Sequence, residues 1–299
     1  QWQRYHFAAV LEAPFTRGYM LRVRAKAPVL VDQVQVEEGK LSEHAPMAPA
    51  ELGLDMPVLS RYPLPRQPVQ PQLFVWAPGR AKQTVSVRLW WEDFFGRTTE
   101  AARANVQLDE HGRYEGPVRC RGQDVGIYRL KAATAGKCAE GEIVIGVLPA
   151  DDGKRVPQSF FGTHARMNPH SENIAVRIAR RAGMRWYRLH DFNHHVQWRH
   201  CEPEQKGKFV WADEEIYDLY RRGYELLGTL VRTPDWAGRD YPPDRPAIPQ
   251  ARVPRKLSWY ADYVREVVRR YKDVMNCWEM WNEPYGWGFW AGTPEEYVE

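Results

Sequence analysis

The apolar positions of the chain follow two rhythms, and the change between them falls near residue 150. Before that point they alternate. Leu21, Val23 and Ala25 interleave with Arg22 and Arg24, and Val34 and Val36 share one parity in a further run that Gly39 stops. Side chains two apart share one face of a strand, so such runs read as half-buried β-strands. The alternation resumes at QLFVW and QTVSVRLWW, where Val85, Val87, Leu89 and Trp91 share a face, and continues through ANVQL, GIYRLKA and EIVIGVL. Turn-forming stretches such as DEHG and RGQDVG separate these runs, and short strands with turns between them predict a small β-sandwich over residues 72–150. Residues 46–71 hold seven prolines in 26 positions and sustain neither period, which predicts a stiff linker or a strap laid over a neighbouring surface.

After ADDGKRVP the order becomes strand, helix, strand, helix, the signature of parallel β/α units. SFFGTHA reads as the first strand, followed by a helix carrying Ile174, Val176 and Ile178, with Gly183 placed for a left-handed C-terminal turn. MRWYRLH is the second strand, and Asp213 is placed to cap a helix in which Ile216, Leu219, Tyr220, Gly223, Tyr224 and Leu227 keep the helical period. TLV is the third strand. Leu257, Tyr260, Ala261, Val264, Val268 and Tyr271 mark the third helix, and NCWEMWNEP follows as the fourth strand. TPEEYVE then announces another helix, with Thr293 as cap, Pro294 first inside and a glutamate at the capping-box position.

Composition narrows the class. The chain has 299 residues, no run approaching the roughly 18 apolar residues of a membrane helix, and 42 basic against 38 acidic residues scattered without a stripe. A membrane span and a nucleic-acid partner are therefore not expected. Aromatic residues make up 13%, including 13 Trp and 15 Tyr, a content suited to stacking on pyranose rings as well as to filling β-rich cores. Four cysteines, Cys120, Cys138, Cys201 and Cys277, lack any CxxC spacing, and only Cys120 with Cys138 offers a pairing in an oxidising compartment. The opening QWQRYHF has no initiator Met and no basic-then-apolar leader, which sets the expectation of a chain from which a leader has been removed or left out.

In parallel β/α barrels, chemistry is built at the C-terminal ends of the strands. Here those ends carry His164 and Arg166; Arg188, His190 and Asp191; Thr233, Asp235 and Trp236; and Asn282 and Glu283. In CWEMWNEP, strand alternation predicts Glu279, Trp281 and Glu283 on one parity and Met280 and Asn282 on the other, until Pro284 ends the ladder. Glu283 then lies at the mouth, flanked by Trp281 and Pro284, which would desolvate its carboxyl and favour the protonated form a general acid needs. Glu279, deeper in the strand, reads as a structural carboxylate paired with an arginine. His190 and His194 have the i, i+4 spacing of a metal pair, but no HExxH accompanies them and the segment follows a strand end, so sugar-contacting or surface histidines are expected and no metal or other cofactor.

The run WEMWNEP resembles glycoside hydrolase clan A, the retaining (β/α)8-barrel enzymes, whose fourth strand closes on Asn-Glu-Pro with that Glu as acid/base. FFGTHARMN, RLHD, EPEQKGKFVWADEEIYDL and TPDWA extend the resemblance toward the family 39 branch, β-xylosidase and α-L-iduronidase-like, over about Ser159 to Glu299. It implies Glu283 as acid/base, Asn282 as donor to the sugar hydroxyl beside the reacting carbon, and Arg188 near the nucleophile carboxylate. His164, Trp236 and Trp287 become subsite contacts. The nucleophile, a Glu closing the seventh strand, has no counterpart here; Asp191 and Asp235 are the substitutes within reach. Separately, VDQVQVEEG resembles the last strand of the jelly-roll carbohydrate-binding modules that precede many polysaccharide-degrading domains.

The resulting expectation is a multidomain β plus α/β protein, with β-sandwich regions followed by the first half of a (β/α)8 TIM barrel. Residues 1–45 form the C-terminal part of a jelly-roll carbohydrate-binding-like module, 46–71 a Pro-rich linker, 72–150 an immunoglobulin-like β-sandwich, and 151–299 the N-terminal half of a glycosidase barrel lacking strands five to eight. The function implied is retaining hydrolysis of a poly- or oligosaccharide by a secreted or periplasmic parent, with this fragment itself inactive. The alternative is a non-catalytic carbohydrate-binding or scaffold protein with a degenerate barrel.

Overall fold

The alternating half of the chain builds two antiparallel sheets around one core. Strands β1 (Glu51–Asp55), β2 (Gln72–Trp76) and β5 (Arg113–Pro117) form one sheet in the order β1-β2-β5; β3 (Thr84–Asp93), β4 (Thr98–Gln107), β6 (Gly126–Thr134) and β7 (Gly141–Val147) form the other, in the order β4-β3-β6-β7. The structure, a computed structural model, describes residues 48–164, 174–190, 195–241, 247–285 and 288–299. The jelly-roll reading of residues 1–45 lies outside them. The described chain is mostly β-sheet with few helices.

Between the sheets, Leu73 and Val75 of β2 meet Val85, Val87, Leu89 and Trp91 of β3, Leu130 and Ala132 of β6, and Ile143, Ile145 and Val147 of β7, all buried. The inward row of β3 is the one its alternation predicts. Trp91 buries its ring edge-on to Tyr128 and satisfies its indole N–H on the Arg121 carbonyl at 2.9 Å, so its polar atom costs little.

The proline-rich segment 46–71 is not a linker throughout. Its residues 51–55 are strand β1, paired antiparallel with β2 from Glu51 opposite Trp76 to Asp55 opposite Gln72, and Leu52, Met56 and Val69 enter the sandwich core. Five residues with one buried side chain are too short to register as alternation, and the surrounding prolines masked them. Strand β5 escaped for the same reason: RYEGP buries only Gly116. Cys120 and Cys138 are both free thiols, and burial pushes that of Cys120 up to about 12.

From residue 151 the architecture changes. Strands β8 (Gly162–Thr163), β9 (Trp186–Leu189), β10 (Glu225–Leu230) and β11 (Cys277–Met280) lie side by side in chain order, and the registers of neighbouring pairs are parallel. Helix α1 (Ile174–Arg181) connects β8 to β9, short α2 (Trp198–Cys201) and α3 (Asp213–Arg221) connect β9 to β10, α4 (Leu257–Tyr271) connects β10 to β11, and α5 (Pro294–Val298) follows. The helices cover one face of the sheet, where Val176, Ile216, Leu219, Tyr263 and Val267 bury Tyr187, Leu189, Leu226 and Leu230. Tyrosines packed in this core keep their hydroxyls satisfied: buried Tyr224 donates to the Val176 carbonyl at 2.7 Å and half-buried Tyr260 to that of Leu230 at 2.7 Å.

Local signals differ in how far they carry. Gly183 does turn left-handed after α1 (φ +92°), and Gly223 does so after α3 (φ +85°), where a Cβ would also sit 2.5 Å from the Gly153 carbonyl oxygen. Asp213 opens α3 without capping it; Ala212 holds the cap position, and the Asp213 carboxylate instead takes Arg270 Nε at 2.8 Å and the Tyr271 hydroxyl at 2.9 Å. The first strand is shorter than SFFGTHA suggests, because Phe160 and Phe161 are exposed and only Gly162–Thr163 pair with β9.

Candidate active site

Strand alternation gives the parallel sheet two unlike faces. Parity places Tyr187, Leu189, Leu226 and Leu230 on the helices, and leaves Arg188, Leu227, Thr229 and Glu279 on the other side; Leu227 lies opposite Arg188 and Cys277, and Thr229 opposite Glu279. Parallel sheets covered on both faces are apolar on both. This one carries an arginine, a threonine and a glutamate on three adjacent strands, Thr229 level with Glu279 and Arg188 two residues earlier in the register.

Those three side chains form a single network. Arg188 donates from Nε to Glu279 Oε2 at 2.7 Å and from Nη2 to Glu279 Oε1 at 2.6 Å, a bidentate fork, while the Thr229 hydroxyl donates to Oε2 at 3.1 Å. Arg188 Nη2 also donates to Asn282 Oδ1 at 2.8 Å. Partial burial works against the charged form of Glu279, but the hydrogen bonds and charge of Arg188, with the Thr229 hydroxyl, outweigh it and hold the carboxyl below its usual range. The pairing of Glu279 with an arginine is the one its depth in the strand suggests. The second bond of that arginine to Asn282 has no signature in spacing.

Asn282 reaches this network because the strand does not keep its alternation. Trp281 adopts φ +64° and Glu283 φ +43°, left-handed conformations that cost a bulky residue about 1–2 kcal/mol. The turn at Trp281 swings its indole into a buried cluster with Val231, Val253 and Trp290, 5.0 Å from the Trp290 ring, with Nε1 donating to the Phe289 carbonyl at 2.8 Å. Asn282, expected on the opposite parity, joins Glu279 instead. Glu283 is exposed at the strand mouth, and Trp281, packed away below, does not supply the desolvation expected of it. The neighbouring strand ends in the same way: Arg232, after β10, has φ +73° and lies 4.6 Å from the Phe289 ring centre.

The other sequence-predicted residues are distributed unevenly. His164 is exposed just past Thr163. Trp236 is half-buried between Trp198 and Trp259, ring centres 5.8 and 5.6 Å away, and its indole N–H is used on the Glu202 carbonyl at 2.8 Å. His190 is buried, its ring 6.4 Å from that of Phe289. Asp235 is exposed and within 3.3 Å of Arg199. Trp287, Arg166, Asp191 and His194 lie outside the described residues. Among the described residues no group of three or more His, Cys, Asp or Glu side chains is arranged to hold a metal ion.

No family model matches the chain. No curated protein matches it either. Its neighbours among solved structures include glycoside hydrolases. A Bacteroides uniformis β-glucuronidase aligns at 12% identity over 77% of this chain and 27% of its own, TM-score 0.28, and a putative β-galactosidase from Bacteroides fragilis at 9% over 61% and 30%, TM-score 0.28. The CARDB domain of a Pyrococcus furiosus protein aligns at 12% over 36% of this chain and 99% of its own, TM-score 0.26. The chain thus spans less than a third of either glycosidase. Likenesses this low carry no weight for function, which has to rest on the side chains themselves.

What those side chains offer is an exposed carboxyl, Glu283, one residue from an amide whose oxygen is engaged by Arg188. Arginine has no acceptor, so its bond engages the Asn282 oxygen and leaves the NH2 group without an acceptor among the described residues. A hydrogen-bond donor beside a carboxyl that can carry a proton is a combination that suits hydroxyl-rich ligands. No membrane-crossing helix is present among the described residues.

Proposed function

We propose that this chain is the leading part of a retaining glycoside hydrolase acting on a poly- or oligosaccharide. In this reading β8 to β11 are the first four strands of a (β/α)8 barrel, and the polar face of the sheet is the barrel's interior. Glu283 protonates the leaving glycosidic oxygen, a glutamate supplied by a later strand attacks the anomeric carbon, and Glu283 then takes a proton from the water that releases the sugar. Asn282 donates to the hydroxyl beside the reacting carbon, and no cofactor takes part. A secreted or periplasmic location of the parent is part of the proposal.

One observation carries the reading: Arg188 reaches across β10 to fix Asn282 beside the exposed Glu283, so an amide and a carboxyl stand together at a strand mouth. The unpaired edges add support. Among the described residues β8 pairs only with β9 and β11 only with β10, and an apolar groove of about 570 Å³ runs along α4 at the end of β11, lined by Tyr260, Ala261, Val264 and Val268 of the helix and the half-exposed Met280 of the strand. Further β/α units would cover it.

Retaining hydrolysis requires two carboxyl groups about 5–5.5 Å apart. The 299 residues alone should therefore leave 4-nitrophenyl glycosides intact, whereas the same chain extended through four further β/α units should cleave them and lose that activity in Glu283→Gln. Turnover by the 299-residue chain would assign the nucleophile to one of its own carboxylates and overturn the half-barrel reading. Sugar binding without turnover in the extended chain would leave a carbohydrate-binding protein in place of an enzyme.

A further inference from the structure

Asn282 can act as a donor only if its amide is held one way round. An asparagine amide with both ends free flips between presenting its oxygen and its NH2 group, and the two orientations recognise opposite partners. Here the choice is made two steps away. Arg188 uses Nη2 on both Glu279 Oε1 and Asn282 Oδ1, at 2.6 and 2.8 Å, so the position of the guanidinium decides where the amide oxygen is drawn. The guanidinium in turn is fixed by the second tooth of its fork, Nε to Glu279 Oε2 at 2.7 Å, and that oxygen is braced by Thr229 at 3.1 Å. The pair is neither fully buried nor free: the side chains are 27% and 32% exposed, so water competes for the arginine the moment the carboxylate is lost.

We propose that Glu279, acting through Arg188, is a positioning residue that sets the orientation of the Asn282 amide, presenting its NH2 group to an oxygen of a bound pyranoside. Glu279 touches neither the sugar nor the reacting atoms. The inference deepens the glycosidase reading and rests on it for the identity of the ligand, but the orientation of the amide can be observed without any ligand. It also gives Arg188 a different task from the one its resemblance implies: three of its five N–H donors are committed within the first four strands.

The test uses the full 299-residue chain labelled with 15N at asparagine. Asn282→Asp identifies the Asn282 side-chain signals. In the unsubstituted protein the two NH2 protons should be well separated, and methyl β-D-xylopyranoside should shift them. In Glu279→Gln, which keeps size and removes the charge, the pair should move toward the positions of a free amide and sugar affinity should fall roughly three- to tenfold, the effect of one lost hydrogen bond. In Arg188→Met the loss should be at least as large, and adding Glu279→Gln to Arg188→Met should cost nothing further, because Glu279 has no other route to the amide. Thr229→Val, which leaves both charges in place, should give the same change at smaller amplitude and serves if Glu279→Gln does not fold.

An amide signal unchanged in Glu279→Gln and in Thr229→Val overturns the proposal, whatever happens to thermal stability. A sugar effect that Glu279→Gln still produces on top of Arg188→Met overturns it as well. If the pyranoside leaves the unsubstituted protein unperturbed, and the chain extended through four further β/α units unperturbed as well, while the amide still moves in Glu279→Gln, the positioning role stands and the glycosidase reading fails.

Discussion

In the sandwich, the faces that meet are apolar save for Thr134 at the end of β6, and the other polar residues of the strands lie outside the buried set. In the parallel sheet only the helix-covered face is treated that way. Eight polar or charged residues are buried among the described ones, and Thr134 alone lies in the sandwich; Arg180, His190, Gln197, Glu202, Glu225, Thr229 and Thr233 all lie beyond residue 151. Burying a polar group costs free energy unless it is hydrogen-bonded, so a region that accumulates them is using them. The sandwich spends its sequence on holding together, and the β/α region spends part of its own on holding side chains in place.

The largest effect should come from the sandwich core. Trp91→Ala removes a fully buried indole and should destabilise the protein by about 3–5 kcal/mol, measured by urea unfolding, while the Asn282 amide signals stay where they are. A shift at Asn282 would mean the two regions are not independent. One side chain ties them together at several points: Arg181, at the end of α1, donates to the carbonyls of Tyr62 (2.6 Å), Pro63 (3.0 Å), Leu148 (2.6 Å) and Pro149 (2.9 Å), all four on the sandwich side. Arg181→Leu should cost about 2–3 kcal/mol, the penalty for stranding partly buried carbonyls. It should also split one thermal transition into two. A single cooperative transition in that variant would show that other contacts couple the regions.

The difference between the regions was legible in sequence to unequal degrees. Period alone separates 72–150 from 151–299, because alternation and the helical repeat are properties of side-chain direction that burial enforces residue by residue. It located β3, β6, β7, the second half of β4 and α4, and the capping signal at Thr293 matched its helix. It ran the helix after Asp213 on through Leu227, which belongs to β10, because apolar residues at helical spacing continued past the Gly223 turn. It missed β1 and β5, which bury one residue each. In the site, the pairing of Glu279 followed from its depth, but Asn282 was assigned to the wrong face, because alternation assumes extended backbone and Trp281 is left-handed. That conformation is imposed by tertiary packing on Trp290 and Tyr260, partners no local window contains. The same packing withdraws Trp281 from Glu283.

The Arg188–Glu279 pair offers a sharper contrast, through pH. Glu279 is held below its ordinary value of 4.5, so the stability it contributes is complete above that pH and is lost as pH falls through the lowered folded value. Glu279→Gln should be about 1–3 kcal/mol less stable than the parent at pH 7, and the gap should close on acidification below about pH 4. Half-buried Asp93, against its desolvation, and exposed Asp109 of the sandwich are also held low, by hydrogen bonds from Arg97 and Phe95 and from Arg113 and His111, so both proteins lose stability in acid; only their difference isolates Glu279. A gap that persists unchanged to pH 3 would mean that packing, not charge, accounts for it.

The smallest expected effect lies at the far edge of the parallel sheet. Thr293 Oγ1 accepts from the Glu296 N–H at 3.3 Å, and Glu296 reaches back to the Thr293 N–H at 2.8 Å while also taking Arg239 Nη1 at 2.5 Å, a reciprocal cap reinforced by a charge from the loop after β10. Helix α5 has only five residues and cannot hold itself by propagation, so its placement rests on this cap and on Tyr297, whose hydroxyl donates to the Met280 carbonyl of β11 at 3.1 Å. Thr293→Ala should cost about 1 kcal/mol, with loss of hydrogen-exchange protection confined to residues 294–299. Protection lost instead along Cys277–Met280 would make α5 a brace for β11, and would tie the geometry of Asn282 and Glu283 to a cap ten residues away.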